Sequence, residues 1–496
     1  MSVSTKDSLK QPAIIQLYEY DKNGNRVSLK AGLKGEDEES YFTNSYTYDL
    51  ENQLTRLRSP AGAFDFEYDD LSRITKMTYP NNMTTEMSFE GDFRLSKVEH
   101  IKQGSLFNQV QSLFKYDYDN NDNKTQMKTF RRTLPINETL NYTYDRKDQL
   151  LTATSPLLNQ ADESFTYDIV GNLLRKQGQS KDSTYNENNQ LIDDGVYTYL
   201  YDTWNYLFRK KHKVTGEITR YYWDPKHQLI AVAQRRSERA IPHKLTTYEY
   251  DALGRRIEKN INGKITRYVY DNEDILMEFD GENAFQKYYV HGMGIDDPLA
   301  MVVDNKDTRD DLTDLRAYYY HKDGMNSITS LTDENGNEKE KYIYNAFGKM
   351  TIYDERDNKI EESQLGNPYS FTGREYDSET GLHYHRARYY DPDLARWISE
   401  DPIEFNGGDL NLYRYVMNNP VNYFDPDGYK PYGSIITACK LLNAKIARAI
   451  RAYKKFEKCM ARPEARNTDT AAKALEQCKQ QFSKDINKPL ETPNNK

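Results

Sequence analysis

Three aspartates in the last quarter of the chain each precede a proline, and paired carboxylates in such positions can cleave a peptide bond. The three are Asp391, Asp401 and Asp425. If two of them come close enough to share a proton, one activates water while the other protonates the scissile carbonyl and then the amine. Proline gives each aspartate an extended local backbone, which helps to aim a short side chain. A lone Asp-Pro pair is more often an ordinary turn, so both interpretations stay open at this level.

Two arginines stand close to these aspartates in the sequence. Arg388 and Arg396 flank the first Asp-Pro pair, and either guanidinium could orient or neutralise a carboxylate by a bidentate contact. Two carboxylates a few ångström apart cannot both ionise cheaply, so a cleaving pair would titrate together.

Other chemistries have little support in the sequence. The eight histidines show no zinc-ligand spacing, and there is no phosphate-binding glycine loop, nucleophile elbow or kinase signature. We therefore predict no metal and no cofactor. The sequence has no run of eighteen apolar residues, so we predict no transmembrane helix. The N-terminus also lacks the apolar core of a signal peptide.

The elements that must position the aspartates come from a repeated motif. The motif is aromatic-x-Tyr-Asp, two or three variable residues, Gly or Asn or Asp, a basic or amide residue, and an aliphatic residue. Clear examples are YEYDKNGNRV at 18, YTYDLENQLTRL at 46, FEYDDLSRITKM at 66, YTYDRKDQLLTA at 142, FTYDIVGNLLRK at 165, YEYDALGRRIEK at 248, YVYDNEDILMEF at 268 and YIYNAFGKMTIY at 342.

Each part of the motif has a structural role. The aromatic-x-Tyr alternation places two rings on one face of a strand. The aspartate can accept hydrogen bonds from backbone N–H groups two residues on, and Gly24, Gly171 and Gly254 permit the positive φ of a tight turn. Each motif is thus a strand, a turn and a strand. Because one hairpin is marginal in water, the units are expected to stack into a long antiparallel sheet.

The chain changes character after Asp425-Pro-Asp-Gly428. Residues 430–496 hold 15 Lys and Arg against 6 Asp and Glu, so the tail has a net charge of +9 and residues 1–429 carry −18. All three cysteines are in this tail. Apolar residues recur there at helical spacing, at Ile435, Cys439, Leu442, Ile446, Ile450, Tyr453 and Met460. Binding to a membrane, a nucleic acid or a partner groove stays open, as does a solvated helical pair.

The repeated units resemble the rearrangement-hotspot family, known as RHS or YD-repeat proteins, over about residues 14–429. The most specific string is residues 365–428, which begins LGNPYSFTGREYDSETG and ends YFDPDG, and which is similar to the RHS-associated core. YVHGMGIDDPLA at 289 and YYYHKDGMNSITSLTDENG at 318 are further signatures.

The resemblance implies a mainly β protein, a YD-repeat antiparallel β-spiral forming a complete or incomplete cocoon-like shell that is closed by the RHS core. The predicted organisation is a disordered N-terminus at 1–13, the β-spiral at 14–364, the core at 365–429 and a variable α-helical tail at 430–496.

The resemblance also implies a site and a function. In this family the core cuts the chain beside its last Asp-Pro-x-Gly, which makes Asp401 and Asp425 the catalytic pair and Tyr429–Lys430 the expected cleavage site. The function implied is that of a polymorphic toxin or toxin-complex protein that holds its tail as cargo. This sequence has Glu404 and Asn326 where the family often has glycine, and Tyr429 where it often has leucine.

Several partners and alternatives follow. Partners would be the protein's own tail, an immunity protein, and an N-terminal partner that completes the shell or delivers it. The protein would be made in the cytoplasm without a classical signal peptide and be secreted or delivered by a specialised system. The alternatives are a non-cleaving surface protein that binds carbohydrate or cells, and an inactive remnant of a larger RHS locus.

Overall fold

The computed structural model describes residues 2–4, 11–35, 41–91, 94–134, 136–155, 162–304 and 315–433. The chain divides into two compact units, Met1–Ser434 and Ile435–Lys496. The helices predicted for the tail, and its three cysteines, lie outside the described residues. The first unit is built of antiparallel sheets, which confirms the mainly β prediction. Within the described ranges, no helix is long and apolar enough to cross a membrane.

The first sheet runs in strict chain order, each strand pairing with the next. Its first strand falls in the stretch predicted to be disordered and pairs antiparallel with the second. The strands are β1 Ser2–Ser4, β2 Ile14–Tyr20, β3 Arg26–Leu33, β4 Phe42–Tyr48, β5 Leu54–Ser59, β6 Gly62–Tyr68, β7 Ile74–Thr78, β8 Met83–Glu90, β9 Arg94–Lys102, β10 Gln109–Tyr118, β11 Lys124–Arg131, β12 Ile136–Tyr144, β13 Leu150–Thr154, β14 Glu163–Tyr167 and β15 Leu173–Lys176.

The second sheet has the same sequential order. Its strands are β16 Thr184–Tyr185, β17 Leu191–Asp193, β18 Tyr197–Tyr201, β19 Leu207–His212, β20 Ile218–Trp223, β21 Leu229–Arg235, β22 Lys244–Tyr250, β23 Arg256–Ile261, β24 Lys264–Asp271, β25 Asp274–Asp280, β26 Phe285–His291, β27 Pro298–Asp304, β28 Leu315–Lys322, β29 Ile328–Thr332, β30 Glu338–Tyr344, β31 Met350–Asp354 and β32 Lys359–Ile360.

The segment that follows forms two small sheets and three single-turn 3₁₀ helices. One sheet pairs four strands in order. The other pairs two short strands on either side of the border, the point after Gly428 where the composition of the chain changes. The elements are the 3₁₀ turn Phe371–Gly373, β33 Glu375–Asp377, β34 Leu382–His385, β35 Arg388–Asp391, β36 Arg396–Trp397, the 3₁₀ turns Glu404–Gly407 and Val416–Asn418, β37 Tyr423–Phe424 and β38 Tyr432–Gly433.

The motif aspartate closes most of the hairpin turns, as its position in the repeat predicts. The unit at 268 is an exception, because Asp271 pairs with Asp274 within the strands and its carboxylate contacts Arg26. In the unit at 248, Asp251 Oδ1 accepts the N–H groups of Leu253 at 2.9 Å and Arg255 at 3.0 Å. The backbone N–H of the same aspartate donates to the carbonyl of Arg255, and Gly254 N–H donates back to the carbonyl of Asp251. One side chain thus satisfies two turn amides, which is why aspartate or asparagine recurs at this place.

The left-handed turn position is also confirmed. Gly24, Gly171 and Gly254 have φ of 85°, 83° and 85°. Where glycine is absent, the same turn position is filled in most units by asparagine or aspartate, the residues that tolerate positive φ best. These are Asn52, Asp122, Asp148, Asn189, Asn205, Asn283, Asn326 and Asp357.

The second aromatic of the motif joins neighbouring units. The hydroxyl of Tyr250 donates to the carbonyl of Leu229, at the start of the return strand of the preceding hairpin, at 2.7 Å. Trp223 supplies its indole N–H to the equivalent carbonyl of Leu207, at 2.9 Å. Tyr48, Tyr68, Tyr144, Tyr167, Tyr185, Tyr270 and Tyr344 make the same contact. The repeat therefore needs a ring that carries a donor, not only a large apolar side chain.

The core segment is fixed to the body through hairpin turns of the first sheet. Asn418 donates to the carbonyl of Gly171 at 2.8 Å, and Asn419 donates to Asn123 Oδ1 at 3.0 Å. Apolar contacts add to this, since Leu382, Tyr384 and Tyr389 of the core pack with strands of the second sheet. The aspartates of the core thus occupy fixed positions on the repeat body.

Candidate functional site

The structure brings Asp401 and Asp425 to one guanidinium. Nη2 of Arg388 lies 3.3 Å from Asp401 Oδ2 and 3.1 Å from Asp425 Oδ2. Arg388 is in β35, Asp401 follows β36, and Asp425 follows β37, so three separate pieces of the core meet here. The arginine packs its guanidinium over the ring of Trp397, 4.1 Å from the centroid, which fixes the plane from which it serves both carboxylates.

Each aspartate uses its other oxygen to build a turn. Asp401 Oδ1 accepts the N–H of Ile403 at 3.0 Å. Asp425 Oδ1 accepts the N–H groups of Gly428 at 2.9 Å and Tyr429 at 3.1 Å. Both aspartates therefore form turns, as the turn interpretation predicts, and both also contact one guanidinium. Their action as a peptide-cleaving pair stays a prediction.

Both carboxylates are buried. Asp401 is 8% exposed and Asp425 is 1% exposed. Burial raises the pKa of Asp425 to about 7; the neighbouring Asp427 carboxylate raises it further and Arg388 opposes the rise. Burial likewise raises the pKa of Asp401, again opposed by Arg388. A proton is thus available on one carboxyl of the pair near neutral pH, which acid–base chemistry requires.

The border peptide passes beside Asp401. A Cβ added to Gly407 would stand 2.7 Å from Asp401 Oδ2 and 3.1 Å from the carbonyl oxygen of Tyr429. The carboxylate and this carbonyl therefore share one small space, which any larger residue at position 407 would fill. Tyr429 and Lys430 are both exposed.

Two other residues considered in the sequence lie elsewhere. Arg396 does not join the carboxylates; its Nη2 donates to the carbonyl of Asn189 at 2.6 Å, and its guanidinium packs against Tyr413. Asp391 forms an ordinary turn, since its Oδ1 accepts the N–H groups of Asp393 and Leu394. The expected role of Arg396 as a partner of the carboxylates is therefore corrected, because its side chain binds a hairpin turn of the second sheet instead.

Sequence reasoning missed three neighbours of the pair. Asp427 and Asp425 both accept the backbone N–H of Tyr429, and Asp427 raises the pKa of Asp425. Trp397 supports Arg388, and Gly407 leaves the space beside Asp401. Asp427 is the variable residue of Asp-Pro-x-Gly, and an acidic residue at this position was the only sequence signal for any of the three neighbours. The other two act through contacts that the sequence does not encode locally.

The two departures from glycine fall on left-handed backbone. Glu404 has φ of 51° and Asn326 has φ of 64°. Asparagine tolerates this region, whereas glutamate pays a steric cost there. Among the described residues, no cluster of three or more His, Cys, Asp or Glu side chains is arranged to hold a metal ion.

Comparison with known families gives two matches. The Teneurin YD-shell family profile matches residues 97–421, and the RHS repeat profile matches residues 48–82.

Curated relatives match over more than half of the chain. The chain is 27% identical over 403 residues to tRNA nuclease WapA of Bacillus subtilis (strain 168), covering 78% of this chain and 16% of that protein. It is 29% identical over 308 residues to double-stranded DNA deaminase toxin A of Burkholderia cenocepacia (strain H111), covering 58% of this chain and 20% of that protein. The chain therefore spans a fifth or less of the length of these relatives.

Among solved structures, the crystal structure of TcdB2-TccC3 matches with a TM-score of 0.59 at 18% identity, over 84% of this chain and 24% of that chain. At this identity the match shows the fold alone.

Proposed function

The chain belongs to the Teneurin YD-shell family of YD-repeat proteins, and from that premise we propose that it is the carrier part of a toxin-type RHS protein. In this proposal the β body holds a C-terminal cargo, and aspartyl self-cleavage between Tyr429 and Lys430 separates the two. The observation that carries the proposal is the cluster of Arg388, Asp401 and Asp425, which lies against the border peptide.

The proposed cleavage uses the two carboxyls as an acid–base pair. The ionised carboxylate takes a proton from water, whose oxygen then bonds to the carbonyl carbon of Tyr429. The protonated carboxyl donates to the carbonyl oxygen and the pair later delivers a proton to the nitrogen of Lys430, so the C–N bond breaks. Arg388 keeps one of the two carboxylates ionised despite its burial.

The carrier role is supported by the variety of the relatives. Overlapping parts of this chain match one protein named for tRNA cleavage and another named for DNA deamination, since the two matches cover 78% and 58% of the chain. A stretch shared by proteins with different activities is better explained as a common container than as the source of either activity. The basic composition of residues 430–496 supports a cargo distinct from the acidic body.

The intact mass of the purified full chain tests the proposal. We expect two fragments that separate at Tyr429–Lys430, formed at a rate independent of protein concentration. Asp401→Asn and Asp425→Asn should each slow cleavage by roughly 100-fold or more, because both proton transfers are needed.

Asp391→Asn is the matched control. It changes the Asp-Pro pair whose carboxylate accepts turn amides and contacts Lys210, not Arg388, so this variant should cleave like the unchanged chain. A wild-type chain that stays whole would contradict self-cleavage and favour a non-cleaving surface protein. Fragments that persist in both Asn variants would indicate an outside protease.

The cargo itself is tested by expression. Residues 430–496 produced alone should slow growth of the producing cell, and co-expression of an immunity protein encoded nearby should restore it. Harmless expression would favour an inactive remnant. We further propose delivery by a specialised secretion system with a partner that completes the body, which a pull-down from the producing cells would identify.

A further inference from the structure

Four consecutive residues of one hairpin hold four consecutive carbonyl groups of the border segment. The hairpin residues are His385–Arg388, from the end of β34 to the start of β35, and the border segment is residues 425–428, to which the carbonyls belong. His385 Nδ1 donates to Asp425 O at 2.5 Å, and Arg386 Nη1 donates to Pro426 O at 2.6 Å. The backbone N–H of Ala387 donates to Asp427 O at 3.2 Å, and Arg388 Nε donates to Gly428 O at 2.5 Å.

The second of these contacts is anchored from the repeat body. Nη2 of Arg386 lies 2.7 Å from Oδ1 of Asp296, a residue that is 2% exposed and that also pairs with Arg374. Arg386 itself has φ of 58°, a conformation that costs an arginine energy and that glycine would adopt freely. An arginine at a strained position, held by a buried carboxylate, indicates that its guanidinium has a specific task.

The fourth clamped residue can only be glycine. A Cβ on Gly428 would lie 2.6 Å from His385 O and 2.9 Å from Arg388 N, and its φ of 75° favours glycine independently. At Gly428 the segment therefore lies directly against the backbone of the hairpin. It cannot slide by one residue, because any other residue would bring a Cβ into that contact.

We propose that the hairpin His385–Arg388 is a positioning clamp that selects the peptide bond to be cut. The proposal rests on the self-cleavage proposed above. With the carbonyls of 425–428 all bound, the next one, that of Tyr429, is the first that projects beside Asp401 and Gly407. The cut is thus set by counting from the clamp and not by recognition of the Tyr429 side chain.

Two insertions separate counting from side-chain recognition. One variant carries an extra glycine between Gly428 and Tyr429, and the other carries it between Tyr429 and Lys430. Counting predicts that the first is cut before Tyr429, so its C-terminal fragment keeps this tyrosine. It predicts that the second is cut after Tyr429, so its fragment begins with the inserted glycine.

The intact masses of the fragments decide the outcome. If the cut follows Tyr429 in both insertions, the side chain is recognised and the clamp proposal is overturned. Tyr429→Ala gives a third measurement, and its cut should stay after position 429. These variants leave the clamp residues and both catalytic aspartates unchanged, so loss of folding is not built into the test.

Hydrogen exchange tests the clamp without relying on cleavage. In full-length chain carrying Asp401→Asn, the amides of Ala387, Gly428 and Tyr429 should be protected. Adding Arg386→Gln should raise their exchange by about tenfold or more, since the Pro426 carbonyl loses its donor and the segment opens locally. The exposed Arg356→Gln is the matched control and should change nothing at these amides.

The two readouts separate the two proposals. A wild-type chain that never cleaves contradicts self-cleavage and with it the selection of a bond, and protection that depends on Arg386 then supports only the binding of residues 425–428 by the hairpin. Cleavage at Tyr429 with exchange that Arg386→Gln does not change overturns the clamp and leaves self-cleavage supported.

Discussion

At the residue scale, the raised pKa of Asp425 predicts how the proposed cleavage depends on pH. Burial brings this pKa to about 7, so the carboxyl holds its proton below that pH and loses it above. We expect the rate to fall about tenfold per pH unit above about 7, as the acid is lost. It should also fall on the acid side, where Asp401 becomes protonated. Single-turnover rates followed by intact mass from pH 4 to 9 measure both limbs.

A change at Asp427 tests whether Asp425 is the group that titrates on the alkaline side of the pH profile. Its carboxylate raises the pKa of Asp425 by charge and by a hydrogen bond, so Asp427→Asn should move the alkaline limb to lower pH. The change keeps the size of the side chain and its capacity to accept from Tyr429 N–H. An alkaline limb that stays in place would show that Asp425 is not the group that titrates.

Glu404 allows a prediction about stability at the same site. Its φ of 51° and its exposed side chain mean that Glu404→Gly removes steric strain without removing a buried contact. We expect a gain of up to about 1 kcal/mol in the free energy of unfolding, reduced by the larger entropy of glycine in the unfolded chain. Denaturant melts measure it. Glu361→Gly, at an exposed position without positive φ, should be neutral or destabilising.

At the element scale, the tyrosine hydroxyl of the motif is expected to stabilise the stacking of hairpins. The hydroxyl of Tyr68 donates to the carbonyl of Leu54 in the preceding hairpin at 2.8 Å. Tyr68→Phe leaves that acceptor partly buried and unpaired, so we expect a loss of about 1–2 kcal/mol. Tyr20→Phe is the control, because this tyrosine occupies the same motif position in the first unit and is 56% exposed. Equal effects of the two changes on urea midpoints would refute the role of the contact.

The hairpin units were predictable because their determinants are local. Ring alternation, the turn aspartate and the left-handed Gly, Asn or Asp all lie within about ten residues, and in most units each was found where the motif placed it. The donor requirement of the second ring was not visible, because its acceptor lies in the preceding unit, as with Tyr250 and Leu229. A substitution such as Trp223, which keeps a ring N–H, was the available hint.

The candidate site was predictable in part for the same reason. Asp401 and Asp425 stood out through their prolines and the family string, but nothing local distinguished Arg388 from Arg396. Both lie in the four-stranded sheet of the core, and tertiary contacts decide which guanidinium meets the carboxylates. Gly407 and the clamp at His385–Arg388 act across 20 to 40 positions of sequence, a range over which a single sequence carries little information.

At the scale of the whole molecule, two buried histidines join the first sheet to the second. His100 in β9 and His321 in β28 have ring centroids 5.1 Å apart. Nε2 of His100 donates to the carbonyl of Lys322 at 2.9 Å, and Thr85 Oγ1 lies 2.8 Å from its Nδ1. Both rings are buried, and burial lowers the pKa of His100 to about 4 and that of His321 well below its ordinary value. The cations Arg131 and Lys322 lower the pKa of His100 further.

This pair predicts that acid loosens the contact between the sheets. A histidine whose pKa is lower in the folded state binds fewer protons there than in the unfolded chain at pH values between about 4 and 6.5. The stability that depends on the neutral histidine is fully present above pH 6.5 and is lost as the pH falls from about 6.5 to about 4. For His100 alone we expect the free energy of unfolding to be about 2 kcal/mol smaller at pH 5 than at pH 8. His100→Gln, which cannot be protonated, should flatten this dependence, whereas the exposed His227→Asn should leave it unchanged. Urea melts of the three proteins at both pH values are the measurement. An equal loss of stability in all three would assign the acid sensitivity to other buried groups.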